Sequence, residues 1–78
     1  DVDLGNMRLT AVLPDADGAL WIATYGLGVL RLANGTATRY GQADGVPHDV
    51  IWDLSRDRQG RVWLASSRGA RYFDGRRW

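Results

Sequence analysis

The sequence predicts an all-β protein, and three observations support that fold class. All ten basic residues are Arg and all nine acidic residues are Asp, so the Lys and Glu that commonly populate exposed helix faces are absent. Ten glycines provide many positions for tight turns. The sequence also repeats once, and its apolar residues form short runs between turn signals instead of recurring at helical spacing. We therefore predict strands and no helix.

The internal repeat relates residues 15–24 to residues 57–66 at a constant offset of 42. Both segments carry an Asp-x-x-Gly turn followed by an apolar run that contains a tryptophan, Trp21 in the first copy and Trp63 in the second. After two single-residue deletions, an Asn-Gly pair near the end of the first copy returns as Asp-Gly. The chain thus holds nearly two copies of a unit of about 40 residues, and such periods indicate stacked structural units.

Each copy is predicted to form four short strands separated by turns. We place them at residues 7–13, 19–24, 28–32 and 36–40 in the first copy, and at residues 49–55, 61–66, 69–73 and 76–78 in the second. The pairs Asn34-Gly35 and Asp74-Gly75 are strong signals for the last hairpin of each copy. The longest connector, residues 41–48, separates the two copies.

The second strand of each copy is apolar on both faces, as expected for a strand covered on both sides. Four strands in a unit of about 40 residues are typical of a β-propeller blade, whose inner strands lie between neighbouring blades. We therefore predict two antiparallel propeller blades, one at residues 1–42 including the inter-blade linker and one at residues 43–78. The residues expected to form the inter-blade core are Trp21, Trp63, Ile22, Leu64, Ala23 and Ala65.

Composition argues against several kinds of site. The chain has no cysteine and a single histidine, so we expect no disulfide, no metal site and no cofactor. A net charge of +1 argues against nucleic acid or a membrane surface as a partner, and no apolar run is long enough to span a bilayer. Asp15 and Asp17 fit turn chemistry better than a calcium loop, which would need a distal Glu.

The motifs occur in a specific combination. The first copy carries Asp-Ala-Asp-Gly at residues 15–18, Leu-Trp-Ile-Ala-Thr at residues 20–24 and Asp-Gly-Val-Pro at residues 44–47. The second carries Asp-Arg-Gln-Gly at residues 57–60 and Val-Trp-Leu-Ala-Ser at residues 62–66. Together they resemble the two-component regulator propeller repeat family, although Ala23 and Ala65 replace the glycine usual within its Trp-Ile-Gly-Thr motif. The resemblance implies a propeller that serves as the extracytoplasmic, often carbohydrate-responsive, sensor of a membrane-bound histidine kinase, and hence a periplasmic or extracytoplasmic location.

Two blades leave an apolar face open on each side, because propellers usually close with about four to eight blades. We predict that other copies of the chain cover these faces head-to-tail, three chains giving six blades or four chains giving eight. The function expected from the sequence is therefore structural, that of a self-assembling two-blade piece that is excised or engineered. A ligand-binding sensor module for a glycan or small molecule is the alternative, and a lyase-type enzyme is less favoured.

Candidate ligand-binding residues follow from where propellers generally bind ligands, at the face where inter-blade loops and the loops after the second strands converge. In this chain that face would carry His48, Asp49, Tyr25 and Arg68. Adjacent strand residues point to opposite faces, so His48 and Asp49 need not act as an acid–base pair, and we expect no catalytic residue. Trp52 alternates with Asp53 in the first strand of the second copy, so one of the two would face the channel; we expect Trp52 to lie in the core.

Overall fold

In a computed structural model, residues 8–78 of the chain form two antiparallel β-sheets. The first sheet, blade 1, contains β1 (Leu9–Pro14), β2 (Leu20–Thr24), β3 (Val29–Ala33) and β4 (Thr36–Tyr40). The second sheet, blade 2, contains β5 (Ile51–Arg56), β6 (Val62–Ser66) and β7 (Gly69–Tyr72). Strand order follows chain order in both sheets, so each is a series of hairpins. The predicted all-β fold with one sheet per repeat is confirmed; the predicted strand start at Met7 lies outside the described residues.

The first hairpin of each blade turns at the same place in the repeat. The N–H of Gly18 donates to the carbonyl of Asp15 at 3.2 Å, and the N–H of Gly60 donates to that of Asp57 at 3.0 Å. Both glycines have positive φ, 89° and 82°, a backbone conformation that other residues rarely adopt. The Asp-x-x-Gly motif is therefore a turn element of the blade.

A β-bulge interrupts the first strand of each blade. The pairing register shifts between Leu9 and Ala11 in β1, and between Ile51 and Asp53 in β5. A bulge leaves one extra residue outside the ladder, and in β5 that residue is Trp52. The expectation that Trp52 lies in the core is wrong, because the bulge takes its side chain out of the strand alternation and leaves it 51% exposed.

Blade 2 lacks the predicted fourth strand at residues 76–78. The carboxylate of Asp74 accepts the N–H groups of both Arg76 and Arg77 at 2.9 Å, which closes a side-chain turn in place of an extended strand. Trp78 then packs edge-on against Trp21, with ring centroids 5.4 Å apart, and is buried. Local turn chemistry and burial of this indole outweigh pairing with β7.

The hydrophobic core lies between the two blades. β5 packs against β1 and β2, so the first strands of the two blades lie side by side. The hydroxyl of Thr10 donates across this boundary to the carbonyl of Ile51 at 2.6 Å. The buried residues of the inter-blade core are Trp21, Ala23, Val29, Val46, Ile51, Leu54, Val62, Leu64 and Trp78.

The connector between the blades contains one turn of 3₁₀ helix, Gln42–Asp44, which the sequence analysis did not predict. Asp44 closes it, because its carboxylate accepts the N–H of Gly41 at 2.9 Å. Gly45 follows with φ 95° and directs Val46 into the inter-blade core. Among residues 8–78, no helix is long and apolar enough to cross a membrane.

Candidate functional site

Three of the four predicted ligand-binding residues lie where the connector meets the loop after β2. Tyr25 forms an isolated antiparallel bridge with Val50. The carbonyl of Asp49 accepts two N–H groups of the β2–β3 loop, from Gly26 at 3.0 Å and from Gly28 at 2.8 Å. These bonds hold the end of the connector, which includes His48, against blade 1.

His48 and Asp49 have separate partners. The Nδ1 atom of His48 accepts the N–H of Val50 at 3.1 Å, and the carboxylate of Asp49 lies 3.7 Å from a guanidinium nitrogen of Arg39. No hydrogen bond joins the two side chains in the described part of the chain. The arrangement positions the imidazole by backbone contact and provides no carboxylate to orient it for proton transfer.

Arg68 lies in the turn between β6 and β7, the blade 2 counterpart of the loop that carries Tyr25. Its N–H donates to the hydroxyl of Ser66 at 3.2 Å, and its side chain is exposed. Among the described contacts it forms no hydrogen bond or ion pair with the other three predicted residues. The structure therefore brings Tyr25, His48 and Asp49 together and places Arg68 in the other blade.

An exposed aromatic pair adjoins this region. Tyr25 is 49% exposed, and its ring lies 6.1 Å from that of Trp52 in a T-shaped arrangement. The guanidinium of Arg8 lies 5.3 Å from the centre of the Tyr25 ring, within range of a cation–π contact. The sequence analysis missed Trp52 as a surface residue because the strand pattern does not reveal the bulge that exposes it.

The predicted inter-blade core residues divide between two faces of each sheet. Trp21 and Ala23 on blade 1 and Leu64 on blade 2 belong to the core within the chain. Ile22 is buried but lies outside that cluster, on the other face of blade 1. The remaining two lie on the side of blade 2 that faces away from blade 1, where Trp63 is half-buried and Ala65 is exposed.

The repeat defines two outer faces of the chain, one on each blade. The outer face of blade 2 carries Trp63, Ala65 and Ala70, which are the counterparts of the core residues Trp21, Ala23 and Val29 of blade 1. The β5 residues that pair with Ala65 and Trp63 are the polar Asp53 and Ser55. The outer face of blade 1 consists of the counterparts of core residues of blade 2: Leu9, Val12, Leu20, Ile22 and Leu32. The sequence predicts an unpartnered apolar surface on each blade. On blade 1, Leu9 and Val12 are exposed, whereas Ile22 and Leu30 on the same face are buried.

Each repeat tryptophan is anchored by the aspartate that opens the preceding turn. The indole N–H of Trp21 donates to Asp15 at 2.9 Å, and that of Trp63 donates to Asp57 at 2.8 Å. The bond from Trp63, with the Arg61 guanidinium at 2.6 Å, lowers the pKa of the Asp57 carboxyl far below its usual value. The pair sets the orientation of each tryptophan within its blade.

Among the described residues, no group of three His, Cys, Asp or Glu side chains is placed to hold a metal ion.

The fold and the anchored tryptophans define the chain as a pair of β-propeller blades. Residues 3–26 and 45–68 each match the family model of the two component regulator propeller, and together these segments cover more than half of the chain. The chain therefore belongs to the two component regulator propeller family. Each match reaches into the loop after the second strand of a blade and includes its tryptophan motif. A search of curated proteins found no match.

Proposed function

We propose that this chain is a self-assembling module that closes a propeller ring head-to-tail with other copies of itself. Three copies would supply six blades and four copies eight. The observation that carries the proposal is a correspondence between surfaces. Apolar residues on the outer faces are the repeat counterparts of residues buried between the blades of one chain.

Burial differs between matching positions of the two blades. Leu9 is 42% exposed, whereas its counterpart Ile51 is fully buried. Val12 is 50% exposed, whereas its counterpart Leu54 is 7% exposed. The same strand position is thus exposed in the blade without a neighbour on that side and buried in the blade that has one.

The outer face of blade 2 offers the complementary surface. Ala65 is exposed there, whereas its counterpart Ala23 is fully buried against blade 2. Small residues at this position allow the next blade to approach closely. A contact between the outer face of blade 2 and the outer face of blade 1 of another copy would reproduce the contact inside the chain. Such a contact joins two different surfaces, so it propagates around a ring.

The energetic gain supports this mode of association. Burying one large apolar side chain stabilises by about 1.5–3 kcal/mol. Several such side chains meet in each contact, and the total stability of a small domain is only about 5–15 kcal/mol. Covering both outer faces would therefore change the stability of the chain by a large fraction. The proposal assigns the chain no catalytic role.

The substitution Ala65→Arg tests this proposal. The side chain of Ala65 is exposed in one chain, so Arg is expected to leave the fold intact, while in a ring it would collide with the next copy. Native mass spectrometry should show assemblies of the unmodified chain, and the variant should be a folded monomer by circular dichroism.

The matched control is Ala16→Arg. Ala16 is exposed in the β1–β2 turn, and its repeat counterpart is already Arg58, so the blade accepts arginine there. This variant should assemble like the unmodified chain. Assembly of the Ala65→Arg variant to the same mass would contradict the proposal.

Ligand binding by the assembled propeller is a second candidate, and the exposed pair of Tyr25 and Trp52 favours it. Both rings lie beside the adjacent first strands β1 and β5. Exposed aromatic faces of this kind suit stacking against a sugar or another flat ring. Copies in a ring would bring several such pairs around one channel, so this candidate rests on the assembly proposed above.

A further inference from the structure

A cavity lies between the two blades, at the opposite end of β2 from Tyr25. Its volume is about 470 Å³, and both blades contribute to its walls. Three arginines line it, Arg31 from blade 1 and Arg56 and Arg61 from blade 2, together with Asp15 and the aromatic residues Tyr40 and Phe73. Three positive charges thus face one negative charge in the lining. We call the cavity the arginine cleft. None of the residues predicted to bind a ligand lines it.

Acidic and carbonyl oxygens hold two of the arginines in place. Guanidinium nitrogens of Arg31 and Arg56 approach Asp15 from the two blades, at 3.7 and 3.5 Å. Arg31 also pairs with Asp17 at 2.5 Å, and Arg56 donates to the carbonyl of Pro14 at 2.7 Å. The side chains of Arg31 and Arg56 are 25% and 30% exposed, and these contacts hold their guanidinium groups at the edge of the cleft.

The third arginine, Arg61, is more exposed, and its guanidinium lies 4.7 Å from the centre of the Tyr72 ring. Arg61 donates through Nε to Asp57 at 2.6 Å and through Nη2 to the side chain of Gln59 at 3.3 Å. A guanidinium carries five N–H groups. In the described part of the chain, the hydrogen bonds use only a minority of these groups on each of the three arginines. Donors therefore remain for an anion that enters the cleft.

The arginines depart from the repeat, which separates them from blade architecture. The turn aspartates, the turn glycines and the tryptophans occur in both blades, as expected for parts of the blade itself. None of the three arginines does. The residues at their repeat counterparts are Tyr72 for Arg31, Pro14 for Arg56 and Ala19 for Arg61. Three arginines found in only one blade each thus converge on a single cleft.

The apolar wall determines the rest of the ligand. Tyr40 and Phe73 are half-buried, and their ring centroids lie 5.2 Å apart in an edge-to-face arrangement. Trp21 is buried beside them, and its ring centroid lies 4.9 Å from that of Phe73 in an edge-to-face arrangement. Aromatic walls favour a flat apolar group, and arginines favour carboxylate or phosphate oxygens, which they bind by paired hydrogen bonds.

We propose that the arginine cleft is a binding site for a small ligand in which a carboxylate or phosphate is attached to a flat ring. The ring of the ligand packs against Tyr40 and Phe73. The anionic group accepts hydrogen bonds from Arg31, Arg56 and Arg61. Both walls belong to one chain, so the site is complete without a second copy and is independent of ring assembly.

Isothermal titration calorimetry with three probes tests the site. Phenyl phosphate contains both features, inorganic phosphate only the anion and phenol only the ring. Phenyl phosphate should bind with a stoichiometry of one per chain and more tightly than either of the others. Equal affinity for phenyl phosphate and inorganic phosphate, or no binding of phenyl phosphate, would overturn the proposal.

Variants locate the binding. Arg56→Gln should weaken phenyl phosphate binding by about tenfold or more, the loss expected for a charge-assisted hydrogen bond. Arg58→Gln, at an exposed turn residue outside the cleft, is the charge-matched control and should bind normally. If Arg56→Gln fails to fold by circular dichroism, Arg31→Gln takes its place with the same expectation. Equal losses in the cleft variant and in Arg58→Gln would show general charge attraction and overturn the site.

The Ala65→Arg variant separates this proposal from ring assembly. The substituted residue lies on the outer face of blade 2, away from the cleft. The affinity of the Ala65→Arg variant for phenyl phosphate should match that of the unmodified chain, whether the protein is a ring or a monomer. A loss of binding in this variant would contradict a site contained within one chain.

Discussion

Trp21 and Trp63 show how far a single residue can be interpreted from the sequence. The repeat predicts that both occupy the same place in a blade, and both indole N–H groups donate to the aspartate six residues earlier, at 2.9 and 2.8 Å. Their exposure differs, because Trp21 faces blade 2 and Trp63 faces away from blade 1. Sequence determines the anchoring, whereas burial depends on which neighbour is present.

Asp57 gives a prediction at this scale. Its pKa is lowered from the ordinary 3.8 by the hydrogen bond from Trp63 and by Arg61. Because the pKa is depressed in the folded state, the ionised carboxylate stabilises the fold above the unfolded pKa, and this contribution is lost as pH falls below it.

We therefore expect the free energy of unfolding of the unmodified chain to fall with acidification below about pH 4 more steeply than that of Asp57→Asn. The asparagine has no charge to protonate, and its one oxygen replaces only one of the two carboxylate oxygens, because Oδ1 of Asp57 accepts backbone N–H groups and Oδ2 accepts the indole N–H. The comparison therefore rests on the slopes of the two curves and not on the free energies of unfolding at neutral pH. Urea unfolding at a series of pH values measures the two slopes. Parallel curves for the two proteins in the acid range would contradict the assignment.

At the scale of strands, the sequence predicts all seven strands of the described residues, and each predicted end lies within two residues of the observed one. Apolar runs and turn residues suffice for this, because they specify pairing within a hairpin. The sequence pattern does not reveal the bulge at Trp52, since a bulge depends on how β5 pairs with β6. Nor does it reveal that Trp78 leaves the strand path, since its burial depends on contact with Trp21 from the other blade.

Two glycines test why one position of the blade requires glycine. Gly28 and Gly35 both have φ +76°, so alanine is conformationally strained at either site. A Cβ at Gly28 would also collide with the backbone carbonyl of Tyr40, whereas nothing lies within 4 Å of a Cβ at Gly35. The pair separates the cost of the φ angle from the cost of close packing between β4 and the β2–β3 loop.

Gly35→Ala should lower the free energy of unfolding by about 1–2 kcal/mol, the cost of the left-handed conformation. Gly28→Ala should cost clearly more, since a backbone oxygen cannot move aside without disturbing β4. Chemical denaturation followed by circular dichroism compares them. Equal losses would show that the approach of Tyr40 does not matter.

At the scale of the whole molecule, the repeat predicts two blades with an unpartnered apolar face on each. The two sheets are observed, and Leu9 and Val12 are exposed on blade 1, although Ile22 on the same face is buried. The number of blades in a ring is not encoded in the strand pattern, because it depends on the packing angle between blades. The arginine cleft is also invisible to the repeat, since its arginines come from β3, β5 and the β5–β6 turn region and meet only when the blades pack.

The solution mass of the unmodified chain tests the central claim most directly. Head-to-tail closure predicts a discrete species of about three or four times the 8.7 kDa of one chain, measured by native mass spectrometry or light scattering. A species of 8.7 kDa that retains the β-sheet spectrum of a folded protein would contradict it.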